Sequence, residues 1–290
     1  MAIPDTVDAL EAGLMQHGYI SDRGLTVAIH LAIQMGRPLF VEGEPGVGKT
    51  EIAKVLAAIA GAELIRLQCY EGLDASHAIY EWDYAKQMLA IRMLEATGKD
   101  VSQTDIMSEE YLVARPLLKA IRRAAASEPT VLLIDELDRA DEEFEAYLLE
   151  ILSDFQITIP EIGTVAATTP PIVVITSNRT REIHDAVKRR CIYHWIDYPS
   201  VEREIQILKA KAPGTSDELS KQLAMAMEKL RSLDLFKPPG VAETIDWAKA
   251  LAVLGADTLA AETIDATLGV VVKYEEDLAA VRTFGVGSME

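Results

Sequence analysis

The residues best suited to chemistry are Gly43-Glu44-Pro45-Gly46-Val47-Gly48-Lys49-Thr50, which fit G-x-x-x-x-G-K-[ST] at every fixed position. Each residue type has a physical task. The glycines let backbone N–H groups turn inward around the oxygens of an anion. A helix starting at the end of such a loop points its N-terminal dipole at the same anion. Lys49 places a positive charge on the β- and γ-phosphates, and Thr50 offers a hydroxyl to Mg²⁺. The expected ligand is a nucleoside triphosphate with magnesium. The binding set is taken as 43–51, with Glu51 the first residue beyond the motif.

The second constellation is Val131-Leu132-Leu133-Ile134-Asp135-Glu136, an apolar run ending in two adjacent carboxylates. Asp135 suits the magnesium shell and completes the binding set, so that Thr50 and Asp135 are the expected metal-side residues. Glu136 suits the role of a general base that polarises water. No N/TKxD element for guanine is present, which favours ATP. Asn178, in Ser177-Asn178 after the run 172–176, stands where a strand end meets a ligand and can orient that water. In Lys188-Arg189-Arg190 an arginine can stabilise the charge of phosphoryl transfer in a neighbouring site. A basic helix end explains the same residues equally well.

These groups need elements to hold them. The run Pro38-Leu39-Phe40-Val41 reads as a buried strand, and 51–60 as an Ala-rich helix closed by Gly61. Further strands are expected at 63–67, 130–134, 172–176 and 193–196. Helices are expected over 5–35, 85–96, 116–126 and 142–152. FQITIPEIGTVAAT, residues 155–168, has the β-branched alternation of a hairpin. Residues 70–112 are less regular and read as an insertion. Beyond Tyr198-Pro199-Ser200 the pattern is helical to the end. The alternation predicts a doubly wound α/β core with a helical satellite.

Bulk properties narrow the class. The 290 residues carry a net charge of −18, which argues against a broad grip on nucleic acid phosphates. No apolar run approaches the ~20 residues that span a bilayer, so no membrane association is expected. MAIPDTVDALEAG lacks the basic and apolar regions of a signal peptide, and a cytoplasmic location is expected. Two cysteines, Cys69 and Cys191, are too few for a disulfide framework, and the five histidines show no metal-binding spacing.

In order, GEPGVGKT, LLIDELDR, VITSN and KRR resemble the AAA+ ATPases, and more narrowly the MoxR family, over about residues 10–250. The long separation of Lys49 from Asp135 and the FQITIPEIGTV segment fit that branch. RLQCYEGLDASHAIYEWDY and KPPGVAETIDWAKAL look most like the subgroup of CoxD-type proteins, encoded beside carbon monoxide dehydrogenase. The resemblance implies an α/β P-loop NTPase (AAA+) fold. Its parallel-sheet core would occupy 1–199, with an insertion at about 70–112 and a hairpin at about 155–168, and a C-terminal helical lid domain would occupy 200–290. It further implies a hexameric ring with ATP at subunit interfaces. Lys49 and Thr50 match Walker A, Asp135 and Glu136 Walker B, and Asn178 sensor 1. Arg189 or Arg190 matches the arginine finger, Arg190 being favoured.

Members of the family remodel clients in the manner of chaperones. They often act with a von Willebrand factor A domain partner, and they mature the metal centre of a client metalloenzyme. One departure stands out: the lid position that usually reads Ser-Pro-Arg is Pro239-Gly240 here, so no sensor 2 is assigned, and lid coupling is expected either to use another group, such as Lys249, or to be weak. In the insertion, Tyr80, Trp82 and Tyr84 suit either a client grip or packing onto the core. Competing readings are a nucleic-acid motor, a nucleotide-gated scaffold with negligible hydrolysis, and a magnesium-chelatase-like activity.

Overall fold

Apolar runs and capped amphipathic segments alternate along the first two thirds of the chain, and each becomes a strand or a helix. In the computed structural model, which describes residues 3–97 and 106–285, α1 (Val7–Gln16) and α2 (Arg23–Gln34) come first. They lead into β1 (Leu39–Gly43), α3 (Lys49–Ala60) and β2 (Glu63–Gln68). The insertion contributes α4 (Ala75–Ala78), β3 (Tyr80–Trp82), α5 (Tyr84–Ala96) and β4 (Leu112–Ala114). Most of its polar stretch, residues 98–105, lies outside the described residues. The core then continues with α6 (Pro116–Ala125), β5 (Thr130–Asp135), α7 (Glu142–Asp154), β6 (Gln156–Ile159), β7 (Gly163–Ala166), β8 (Ile172–Ser177), α8 (Asp185–Arg190) and β9 (Ile192–Ile196).

Five strands form one parallel sheet in the order β2-β5-β8-β1-β9. The two-residue period of a strand sorts its side chains between two helical layers. Phe40, Leu132, Ile134, Val173 and Ile175 join one core with residues of α6 and α7. Leu39, Val41, Val131, Leu133 and Val174 join the other with residues of α1, α2 and α3. Burial on both faces explains why β1 and β5 are apolar throughout their middles. The register aligns the strand ends that matter: Gln68 stands beside Asp135, Ile134 beside Ile175, and Glu42 beside Ser177.

Local chemistry fixes the helix ends. The carboxylates of Asp22 and Asp141 accept the N–H groups of Leu25 and Phe144, at 2.7 and 3.0 Å, capping α2 and α7. Gly61 ends α3 in the left-handed conformation. The hairpin expected at 155–168 is β6 paired antiparallel with β7. In the insertion, β3 pairs with β4. Tyr80 and Trp82 meet each other edge to face and pack against the main core, whereas Tyr84 is 68% exposed. Among the described residues no helix is long and apolar enough to cross a membrane.

The lid is helical: α9 (Val201–Lys211), α10 (Asp217–Ser232), α11 (Val241–Val253), α12 (Ala261–Val271) and α13 (Glu275–Phe284). They surround the fully buried Trp247, whose indole N–H donates to Thr267 Oγ1 at 2.7 Å. A buried ion pair ties the lid to its hinge. Arg231 meets both oxygens of Glu204 at 2.7 and 2.8 Å, donates to the Pro239 carbonyl, and lies 4.6 Å above the Tyr198 ring. Arg231→Ala strands the buried Glu204 carboxylate, and removing one partner of such a pair costs about 3–5 kcal/mol. Urea denaturation followed by tryptophan fluorescence should therefore show a lid transition at much lower denaturant, ahead of the core.

Candidate functional site

The C-terminal edge of the parallel sheet gathers the site. The loop after β1 runs into α3, and Gly48, at φ +96°, sits immediately before the first helical residue with no side-chain cap. The amides of the first turn are thus left for an incoming anion. Lys49 is buried and donates to the carbonyls of Gly43 and Glu44, both at 2.6 Å. Burial pulls its ammonium down to about 8, against the opposing pull of Asp138, Glu44, Asp135 and Glu136.

Asp135, 2% exposed, is the hub. Its Oδ1 accepts the Thr50 hydroxyl at 3.0 Å and the Thr176 hydroxyl at 2.6 Å. Its Oδ2 accepts Arg66 Nε at 3.0 Å and Nη2 at 2.6 Å. The threonine hydroxyl of Thr50 beside a buried carboxylate is an all-oxygen donor set, which fits a hard cation such as magnesium. Glu136 follows in the left-handed region, φ 56°, and its N–H donates to Thr176 Oγ1 at 2.9 Å. That turn points its carboxylate away from the strand. Gln68 Nε2 and Arg139 Nε hold Glu136 Oε2, each at 3.0 Å, and Asn178 Nδ2 lies 3.4 Å from Oε1.

The structure brings Lys49, Thr50, Asp135, Glu136 and Asn178 into one cluster. It also adds residues that the sequence reading did not single out. Asp138, buried, accepts the N–H groups of Asn178 and Thr180 at 3.1 and 2.9 Å and the Thr180 hydroxyl at 2.7 Å, staking the loop that carries Asn178. Arg66 and Gln68 come from β2, an edge strand with no nucleotide motif. The only signal for them was their alternation on one face beside a strand ending in Asp135.

Arg189 and Arg190 lie elsewhere. Their carbonyls accept the guanidinium of Arg37, which precedes β1, and Ile192 N–H donates to the Pro38 carbonyl. They therefore mark the N-terminal edge of the sheet, about 17 Å, one five-residue strand, from the edge where the phosphate loop leaves. Arg190 is held within its own chain by the Ser153 hydroxyl at 2.6 Å and the Ala186 carbonyl at 3.0 Å. The side chain of Arg189 is 82% exposed.

Between the α1–α2 layer, the phosphate loop and the lid is a cavity of about 330 Å³ whose walls include Tyr19, Ile20, Val47, Arg203, Ile245 and Lys249. It is open and largely apolar beside the anion loop, a setting that accepts a nucleobase and ribose. The lid meets the loop by backbone. Ala242 N–H donates to the Gly46 carbonyl at 3.1 Å. A Cβ on Gly240 would stand 2.6 Å from the Pro45 carbonyl oxygen and 2.8 Å from Gly46 Cα.

Phosphate loop, paired strand-end carboxylates, polar amide on the next strand and helical lid together define a P-loop ATPase of the AAA+ class. Residues 38–191, more than half of the chain, match the AAA domain (dynein-related subfamily), and the chain belongs to that family. No protein of curated function matches it in sequence. Among solved structures it is similar to the Holliday junction branch migration motor RuvB of Thermotoga maritima, at 17% identity and a TM-score of 0.48, covering 92% of this chain and 72% of that one. A point variant of that motor gives 18%, 0.50, 95% and 75%. A candidate ATPase of Cytophaga hutchinsonii gives 17%, 0.48, 98% and 93%. At these identities the likeness concerns the fold alone.

Two measurements probe this geometry. Lys49 is charged below about pH 8 and loses its proton as pH rises through that value. ATP affinity should accordingly fall by up to about tenfold per pH unit above it. Binding near pH 8–9 should take up protons, seen by calorimetry in buffers of different ionisation enthalpy; equal affinity at pH 7 and 9 contradicts this. Gly240 has φ −87° and ψ −175°, open to any residue, so Gly240→Val acts through its contacts: the loop backbone, and the Glu243 carboxylate, 3.0 Å from the added Cβ, that caps the same helix. Overpacking of about 1–3 kcal/mol should lower the melting temperature by a few degrees and weaken nucleotide binding roughly tenfold; wild-type affinity in the folded variant contradicts the coupling.

Proposed function

We propose that this chain is an ATP-hydrolysing subunit of a ring-forming remodelling machine of the MoxR type, active on protein rather than nucleic acid. The observation that carries the ring is the arginine geometry. Within one subunit the acid, base and phosphate-binding groups converge, yet the exposed Arg189 sits at the opposite edge of the sheet. Such a group serves phosphoryl transfer only in a neighbour's site, which calls for a homo-oligomer, with the hexamer as the proposed closed form. Arg189 is the proposed finger in place of Arg190, because Arg190 is already engaged by Ser153 and Ala186.

The roles follow from position. Lys49 and the loop amides of 43–51 bind the phosphates, and Lys49 must exchange two carbonyls for phosphate oxygens to do so. Thr50 and Asp135 would hold magnesium, which when bound with ATP neutralises charge on the β- and γ-phosphates. Glu136 takes the proton of the attacking water, and Asn178 orients that water against the γ-phosphate. The cavity at Tyr19 and Ile245 receives the base, and Gly240 couples the lid to the loop where relatives place an arginine.

A protein client is supported by two properties. The charge of −18 opposes a phosphate backbone. In the insertion, Tyr84, Met88, Leu89 and Met93 of α5 are all more than half exposed, a pliable apolar face of the kind proteins use to hold varied partners. A metalloenzyme client, a von Willebrand factor A domain partner and a cytoplasmic setting complete the proposal, and they rest on the sequence resemblance.

Complementation tests the shared site. Arg189→Ala subunits keep an intact Walker B but offer no finger; Glu136→Gln subunits offer the finger but lack the base. Each alone should fall by about 10²-fold or more in turnover. Mixed and reassembled, they should recover a fraction of wild-type rate. A mixture as inactive as its parts, with ring assembly verified by sizing, rules out the trans arginine.

A further inference from the structure

We propose that Arg66 is a resident cation of the magnesium-facing carboxylate, one that Asp135 must release before a hydrated divalent cation can settle against it. This rests on the reading of Asp135 as the metal-side acid. A carboxylate offers about four acceptor positions on its two oxygens. Here four donors fill them: the hydroxyls of Thr50 and Thr176 on Oδ1, and Nε and Nη2 of Arg66 on Oδ2. Asp135 is buried at the end of a central strand and cannot turn toward fresh acceptor space. A water carried by a metal ion therefore finds no lone pair on Asp135 until a donor leaves.

The donors differ in how readily they leave. Thr176 is buried on β8, and its oxygen also accepts the Glu136 N–H, so its withdrawal breaks two contacts. Thr50 is fixed by the first turn of α3. Arg66 stands on the edge strand β2 with a side chain 53% exposed. Its long stem can swing into water, and its charge is the one an arriving cation repels. Arg66 is thus the exchangeable partner.

Its departure reaches the general base. Arg66 Nη2 also donates to Gln68 Oε1, and Gln68 Nε2 donates to Glu136 Oε2 at 3.0 Å. The same fork that fills Asp135 thus orients the amide that holds Glu136. Withdrawal of Arg66 frees acceptor space for the metal side and, in one movement, loosens the hold of Gln68 on Glu136, leaving Arg139 and Asn178 in place. Arg66 acts here as a positioning residue that couples the setting of the base to divalent occupancy.

The test uses Mn²⁺ as the probe, followed by electron paramagnetic resonance on the full-length protein with ATPγS. Arg66→Met should lower the half-saturating Mn²⁺ concentration about two- to fivefold, the range a partly exposed ion pair supports. Affinity for ATPγS in EDTA should stay within about twofold. Arg139→Met removes an equal charge beside Glu136 without touching Asp135, and should leave the Mn²⁺ curve in place. Unchanged or weaker Mn²⁺ binding by Arg66→Met overturns the proposal, as does an equal shift in Arg139→Met, which would make the effect one of field alone. Asp135→Asn separates the two layers of argument. If it weakens Mn²⁺ binding while Arg66→Met does nothing, only the Arg66 proposal falls. If it has no effect, the metal-side reading of Asp135 falls and takes the proposal with it. Arg66→Lys, which keeps the charge but not the fork, should shift the curve in the same direction by less and serves if the methionine variant does not fold.

Discussion

One buried carboxylate organises the site. Asp135 ends a strand buried along its whole length and joins the phosphate loop through Thr50, the neighbouring strand through Thr176, and the sheet edge through Arg66. A charge in such a place is tolerated only when each lone pair is met. That requirement fixes the spacing of three strand ends and the first turn of α3 at once. Glu136 and Asn178 then inherit their positions, Glu136 through the N–H it gives to Thr176 and Asn178 through the loop staked by Asp138.

The legibility of this arrangement in the sequence follows from where each feature's physics resides. Glycine-loop chemistry and the apolar strand ending in Asp135-Glu136 are local, so the loop, the central strands and the alternating core could be read directly. The hairpin at 155–168 announced itself by β-branched alternation around Pro160 and Gly163. Arg66 and Gln68 could not be read, because their meaning comes from the register that sets Gln68 beside Asp135. Adjacent arginines could not be separated, and the preference for Arg190 over Arg189 had no local basis: only packing shows that Arg190 has Ser153 to hold it and that Arg189 does not. Of the three aromatics in the insertion, the spacing left open which would pack, and the answer depends on how β3 lies against the core.

The lid meets the phosphate loop through main chain. An arginine reaches a phosphate across several ångströms, while a glycine can only bring main chain to main chain. With Gly240 against Pro45 and Gly46, and Ala242 bonded to the Gly46 carbonyl, lid position and loop shape are one variable. The lid itself is stiffened at that point by Arg231, which holds the Pro239 carbonyl, the Glu204 carboxylate and the face of Tyr198. A change in the loop is therefore transmitted to a rigid body rather than absorbed by a soft hinge.

Charge balance gives the physical reason for a neighbour. Asp135, Glu136, Asp138 and Glu44 all exert their fields on Lys49, whose own charge is weakened by burial. The other cations at the cluster, Arg66 and Arg139, are each committed to one of these acids. A polyphosphate adds further negative charge, and the position where a lid arginine would help is occupied by Gly240. A single subunit is thus short of positive charge where phosphoryl transfer would build negative charge. Under the reading proposed, the deficit is met from two sides: a divalent cation at Asp135, and an arginine carried on the far edge of the next subunit's sheet. An isolated chain lacks the arginine and an unloaded one lacks the cation, so under that reading hydrolysis is confined to the loaded, assembled state.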